Sequence, residues 1–245
     1  MENLADIPGK VGAAPVQNIG AYGAEVKDTI YKVHTIDLTT GKTKVFSNEE
    51  CQFSYRNSIF KTIKNTLIFA VDFILKKQSE LKLDYGNIRN YLIANNITNP
   101  TLQDVAATVK AIRAEKLPKV GVVGSVGSFF QNAIVPVEKY LELKKAYQEV
   151  PSYPVTPEPN EIPRCARNDS GSFQELVKIP SGWLIDRAGW KGYRENHVGV
   201  WDKQALVLVH YGGGKPQEIL DLMKKIQDSV KDKFGVEIKP EVNII

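Results

Sequence analysis

The chain reads as an α+β fold, on three observations. Strand-like and helix-like segments mix along it without the regular βαβ alternation that a parallel sheet requires. Its 245 residues are 42% hydrophobic and 24% charged, the balance of a soluble globular protein with a real core. It opens on an irregular, glycine-punctuated stretch, "ENLADIPGKVGAAPVQNIGAYG", that fits neither periodicity.

Taken in order, "TIYKVHTIDLTTGKTKVF" predicts two strands joined at Thr40-Gly41 as a hairpin, and "TLIFAVDFIL" (Thr66 to Leu75) a third strand. "NPTLQDVAATVKAIRAEKLP" predicts a helix capped by Asn99, with Pro100 in its first turn. Leu102, Val105, Val109 and Ile112 share one face of it, and it ends near Lys116. Lys116-Leu117-Pro118 reads as a domain junction. Beyond it, "VGVVGSVGSFFQNAIV" reads as a loop and "VEKYLELKKAYQEV" as a helix. "ALVLVHYGGG" reads as a buried strand with a glycine turn. A last helix runs from Pro216 to a stop at Gly235, with Ile219, Met223, Ile226 and Val230 on one face. "VEIKPEVNII" predicts a strand broken at Pro240. "PSYPVTPEPNEIPRCARNDSGSF" has no periodicity and reads as an exposed insertion, about 156–174. Its core, "EIPRCARNDSG", is similar to peptides translated from bacterial palindromic repeat elements.

Several function classes are disfavoured. No apolar run approaches the ~20 residues of a membrane span. The N-terminus lacks a signal pattern, and Cys51 and Cys165 suggest neither a disulfide framework nor a metal site. A cytoplasmic protein is expected. The net charge of +4 is carried by scattered lysines, which argues against a nucleic-acid groove and leaves a mild bias toward small anions. "GKVGAA" is no dinucleotide fingerprint, and "GGGKPQE" lacks the Ser/Thr of a phosphate loop.

The combination is more specific. "ENLADIPGKVGAAPVQNIGAYG", "CQFSYRNSIFK", "GSFFQN", "SGWLID", "KQALVLV" and "KPEV" follow one another in this order. Together they resemble the bacterial UDP-N-acetylenolpyruvoylglucosamine reductases, flavoenzymes of peptidoglycan synthesis. The resemblance spans nearly the whole chain apart from the insertion. It implies FAD as cofactor, NADPH as hydride donor, and UDP-N-acetylglucosamine enolpyruvate as substrate, reduced to UDP-N-acetylmuramate by a monomer. It also implies that Ile7, Pro8, Gly9, Gly12, Gln17, Asn18, Ile19 and Gly23 line the flavin, where bare backbone lets N–H groups approach closely.

In the implied reaction a hydride reaches the terminal vinyl carbon, and negative charge develops beside the substrate carboxylate. Such a site needs a cation, an acid and a wall against water. By resemblance Ser128 is the proton donor, and Arg56 holds the carboxylate in a bidentate fork. Glu241, in its acid form, donates to the developing enolate. Taken alone, Ser128 reads as a turn residue, Arg56 as a surface charge and Glu241 as an exposed strand residue. Tyr22, Tyr85, Lys116, Asn132 and Gln204 match positions around the UDP-sugar, with core packing the other reading for both tyrosines.

The implied domains are 1–118, the remainder of an FAD-binding domain, and 119–237, an α+β substrate-binding domain. Residues 238–245 are expected as a strand returning to the first. Family members carry a flavin-pyrophosphate loop ahead of the segment at Ile7, so the chain reads as truncated. A catalytically inactive remnant that at most binds a UDP-sugar is the alternative. Ala133 and Trp201 stand where the family has proline and commonly histidine.

Overall fold

A computed structural model describes residues 1–77, 80–155 and 175–244. The fold is α+β, and the chain divides into two compact units, Met1–Ala114 and Glu115–Ile245. The division falls inside a helix rather than at Pro118. The 156–174 insertion lies outside the described residues, as does Cys165.

The first unit opens with 3-10 turns at Glu2–Leu4 and Val11–Ala13 and a minimal hairpin, β1 (Gly20–Ala21) with β2 (Ala24–Glu25). Three strands, β3 (Ile30–Asp37), β4 (Thr43–Ser47) and β5 (Thr66–Phe73), form an antiparallel sheet in the order β4-β3-β5. The β3–β4 hairpin closes where expected. Gly41 takes φ 69°, and Asp37 Oδ1 accepts from the Thr39 and Thr40 amides at 2.8 and 2.7 Å. One core cluster, including Val33, Phe46, Cys51 and Phe60, packs with this sheet. A second joins α1 (Ile88–Ala94) to α2 (Leu102–Lys116) through Ile88, Leu92, Val105, Val109 and Ile112. The cap of α2 differs from expectation. Thr101 and Asp104 cap it reciprocally, Thr101 N to Asp104 Oδ2 at 2.8 Å and Asp104 N to Thr101 Oγ1 at 3.2 Å. Asn99 is therefore not the cap.

Among its described residues the second unit holds two antiparallel sheets. β10 (Arg194–Glu195), β11 (Val198–Val200), β12 (Val207–His210) and β6 (Gly124–Ser128) run in the order β10-β11-β12-β6. β7 (Ala133–Pro136), β9 (Leu176–Ile179) and β8 (Tyr153–Pro154) run in the order β7-β9-β8. Thus "GSVGS", expected as loop, is a strand, because β12 is an apolar ladder that needs a partner on that edge. Among the described residues the unit also holds the helices α3 (Val137–Ala146), α4 (Ser181–Arg187) and α5 (Pro216–Phe234). α5 buries Ile219, Leu222, Ile226, Val230 and Phe234 on one stripe and stops at Gly235 in the left-handed conformation, φ 63°. The closing segment is grouped with this second unit and forms no strand. Phe130 and Pro240 make an isolated bridge, and the Gln131 amide donates to Lys239 O at 2.9 Å.

Candidate functional site

In the first unit, the opening segment is organised by Asn18. It is fully buried at φ 46°; its Nδ2 donates to Glu25 Oε2 (3.0 Å) and Ser54 O (2.9 Å), and its Oδ1 accepts from Lys27 N (3.1 Å). Asparagine suits this place because a short amide tolerates the left-handed region and satisfies backbone locally. The segment's glycines divide into two groups. A Cβ on Gly12 would stand 2.9 Å from Ile68 O, and one on Gly23 would overlap the Tyr85 ring, so the protein itself fills those spaces. Gly9, at φ 127°, has nothing within 4 Å of such a Cβ. Its backbone is the bare surface here that a ligand could approach. Ile19 is half-buried and packs against the core cluster beneath the sheet; Ile7 and Gln17 are half-buried, and Pro8 is exposed.

The two tyrosines interlock. The Tyr85 ring covers Gly23, and a Cβ on Gly86 would meet Tyr22 Cδ1 at 3.0 Å. Each bare glycine receives the other pair's ring. Burial raises the Tyr22 phenol pKa, and the Arg113 charge pulls it down. Arg113 Nε is itself buried, with no acceptor among the described residues.

Arg56 sits at φ 56° in the tight turn bridged by Ser54 and Asn57. Its Nη2 donates to Gly20 O at 2.6 Å, Nη1 lies 3.7 Å from Glu25 Oε1, and the guanidinium faces the Tyr55 ring at 5.0 Å. A side chain on Gly20 would stand 2.5 Å from Nη1, so a glycine there leaves room for the arginine. The fork is thus oriented by the same loop that Asn18 organises.

In the second unit, Ser128 is the exposed last residue of β6 and pairs with Val207. The next two residues, Phe129 and Phe130, are buried with rings 5.2 Å apart, and they anchor the strand end. Phe129 N donates to Leu206 O at 2.8 Å, and Phe129 O accepts from Glu241 N at 2.7 Å. Glu241 is therefore held one residue from Ser128 along this ladder. A cleft of about 320 Å³ lies in the same unit and contains Asn132 and Gln204. Asn132 Oδ1 accepts from Ser181 N (3.2 Å) at the start of α4, and Ser181 Oγ donates to Gln131 O (2.5 Å). Gln204 Oε1 accepts weakly from Leu206 N at 3.4 Å; Gly182, on α4, leaves it space. Leu206 thus touches both the cleft and the Ser128 strand. Tyr153, Trp183, Lys191 and Lys203 also line the cleft, and sequence reasoning did not single them out. Two lie in or beside quoted motifs, "SGWLID" and "KQALVLV". Tyr153 was hidden by its proline-rich surroundings. Lys116 is exposed at the C-terminal end of α2.

The comparisons decide the lineage. Residues 117–245 match the family described as UDP-N-acetylenolpyruvoylglucosamine reductase, C-terminal domain. The UDP-N-acetylenolpyruvoylglucosamine reductase of Pseudomonas savastanoi pv. phaseolicola is 43% identical over 245 residues, covering 100% of this chain and 67% of that protein. That of Bdellovibrio bacteriovorus is 45% identical over 243 residues, 98% of this chain and 67% of that one.

The chain belongs to the UDP-N-acetylenolpyruvoylglucosamine reductase family.

It spans about two thirds of the length of these reductases. The crystal structure of the reductase from Thermus caldophilus shares the fold, with a TM-score of 0.59 at 19% identity, covering 99% of this chain and 62% of that one. Membership in this reductase family makes the chain an oxidoreductase by descent, in the lineage of peptidoglycan synthesis. Among the described residues no helix is long and apolar enough to cross a membrane, and no three metal-ligating side chains cluster.

Proposed function

We propose that this chain carries out the FAD-dependent reduction, by NADPH, of UDP-N-acetylglucosamine enolpyruvate to UDP-N-acetylmuramate, as a cytoplasmic monomer. The observation that carries this is the Phe129 ladder, which holds Ser128 and Glu241 a residue apart, with Leu206 joining it to the Asn132–Gln204 cleft. A proton donor, an acid and an amide-lined cleft are what the second half of the reaction requires.

Bound flavin would supply hydride transfer. The chain has features that fit it, since Gly9 presents open backbone and the 18–25 loop is rigidly tied. In this reading Ile7, Pro8, Gly9, Gly12, Gln17, Asn18, Ile19 and Gly23 hold the cofactor, though Gly12 and Gly23 do so by shaping the loop, because their open faces are taken by Ile68 and Tyr85. Arg56 grips the substrate carboxylate with its planar fork and spreads the charge that develops next to it. Ser128 gives its proton to the carbon bearing that charge. A serine hydroxyl is a weak acid, so it acts on an intermediate with strong carbanion character. Glu241, in its acid form, donates a hydrogen bond to the enolate oxygen. Asn132 and Gln204 bind the UDP-sugar, joined by Tyr22, Tyr85 and Lys116.

The test is NADPH oxidation by the purified chain supplied with FAD, with and without the enolpyruvyl substrate. Substrate-dependent oxidation is expected. A second reading, a non-catalytic protein that binds only the UDP-sugar, is favoured by the cleft being built wholly within the second unit. A colourless chain that binds the sugar nucleotide and oxidises no NADPH would establish it instead.

A further inference from the structure

Ser181 is a polar side chain of the second unit with no solvent exposure, and the reaction above gives it no part. It stands where a ladder runs out. β7 and β9 pair as far as Ala133 opposite Ile179, and the same register sets Asn132 opposite Pro180 and Gln131 opposite Ser181. At Ser181 the chain turns into α4, and the contact between the two segments continues through side chains. The Ser181 amide donates to Asn132 Oδ1 at 3.2 Å, and its hydroxyl donates to Gln131 O at 2.5 Å. Gln131 is also held by its own amide, which donates to Lys239 O at 2.9 Å in the ladder that joins Phe129 O to Glu241 N. The stretch from Ser128 to Asn132 is thereby fastened to α4 at its Asn132 end. Ser181 is enclosed and reaches no ligand, whereas Asn132 lines the cleft.

We propose that Ser181 is a positioning residue for nucleotide binding: its hydroxyl, by holding Gln131 O, sets the Asn132 amide in the orientation that meets the UDP-sugar. The inference rests on the reductase reading for that ligand. An amide side chain has two ends of similar shape and opposite hydrogen-bonding character, and a fixed N–H beside it selects the oxygen. That N–H belongs to Ser181, so the placing of one residue decides both contacts. Without the hydroxyl, Gln131 O loses this donor, the 131–132 segment shifts against α4, and the Asn132 amide moves with it. A contact displaced by about 1 Å is enough to be felt in binding and turnover.

The experiment is calorimetric titration of the 245-residue chain with UDP. It compares the parent with Ser181→Ala, Ser181→Thr, Asn132→Ala and the double variant that joins Ser181→Ala to Asn132→Ala. UDP affinity is expected to fall about tenfold in Ser181→Ala, as for one lost hydrogen bond. Ser181→Thr keeps the hydroxyl and restores most of the loss. Should its added methyl prevent folding, Ser181→Cys, close to serine in shape and a weaker donor, restores part. In the Asn132→Ala background, removing the Ser181 hydroxyl costs no further affinity, because the group it positions is gone. A serine that only stabilised the fold would lower the melting temperature without that non-additivity. Unchanged affinity in Ser181→Ala, equal losses in both backgrounds, or no UDP bound by the parent overturns the proposal. Substrate-dependent NADPH oxidation is read separately. A chain that oxidises no NADPH but shows the coupled loss keeps the positioning role and loses the reductase reading, and one that turns over with unchanged affinity in Ser181→Ala does the reverse.

Discussion

Asn18 concentrates more polar bonding than any other side chain of the opening segment. Replacing it with alanine removes three hydrogen bonds, including the buried one to Ser54 O, and leaves a residue at φ 46° without the local amide bonding that suits asparagine to that conformation. The expected cost is about 2–4 kcal/mol, read from urea unfolding of the chain. Cys51 gives a second prediction at this scale. It is fully buried, and burial, helped by the Glu50 carboxylate, pushes its thiol pKa up from the ordinary 9.0 to about 12. In a Cys165→Ser chain, Cys51 should resist a thiol reagent at pH 8 until denaturant is added. The raised pKa also sets a sign. The unfolded thiol ionises near its ordinary value while the folded one does not, so this contribution to stability is intact at neutral pH. It is lost as pH rises from about 9 toward 12. A melting temperature that rises over that interval in the Cys165→Ser chain, relative to a chain also carrying Cys51→Ala, contradicts it.

The elements differ in how much of their stability is local. α5 carries a continuous apolar stripe, a proline at its start and a left-handed glycine at its end, so each part of it agrees with the others. Leu222→Ala should cost about 2–5 kcal/mol, as for a buried leucine in a close-packed core. Gly235→Ala should cost about 1 kcal/mol, because alanine must adopt φ 63° there. Both are checked by denaturant midpoints, and the order of the two losses is itself a prediction. The cap of α2 shows how a helix start can be misjudged. Asn99-Pro100 has the composition of a cap, but Thr101 and Asp104 satisfy each other's amides reciprocally. β6 is the opposite case. "GSVGS" has little intrinsic strand preference, and it becomes a strand because β12 pairs with it from Gly124 to Ser128.

For the whole molecule the prediction concerns the proposed chemistry. Ser128→Ala should leave flavin reduction by NADPH near its parental rate and slow reoxidation by the enolpyruvyl substrate by about 10²–10⁴-fold. Stopped-flow flavin absorbance separates the two halves, and Ser128→Cys should restore part of the second. Equal reoxidation in the alanine variant would show Ser128 to be a strand-end residue without a chemical role. The family, the α+β class, the β3–β4 hairpin and most of the α2 and α5 stripes were legible in the amino-acid order, although Leu102 is exposed and Leu222 takes the fully buried place expected for Met223. These depend on residue identities in short windows, on periodicity and on motif order, which a linear chain displays directly. What tertiary structure alone decided is which of those windows meet. It took up Gly12 and Gly23 with Ile68 and Tyr85, left Gly9 open, and paired Phe129 with Glu241 across a long separation in sequence. It also gathered Tyr153, Trp183, Lys191 and Lys203 around Asn132 and Gln204. No local pattern encodes these meetings, because a hydrogen bond or a packed ring depends on where a distant segment arrives and not on the residues beside it.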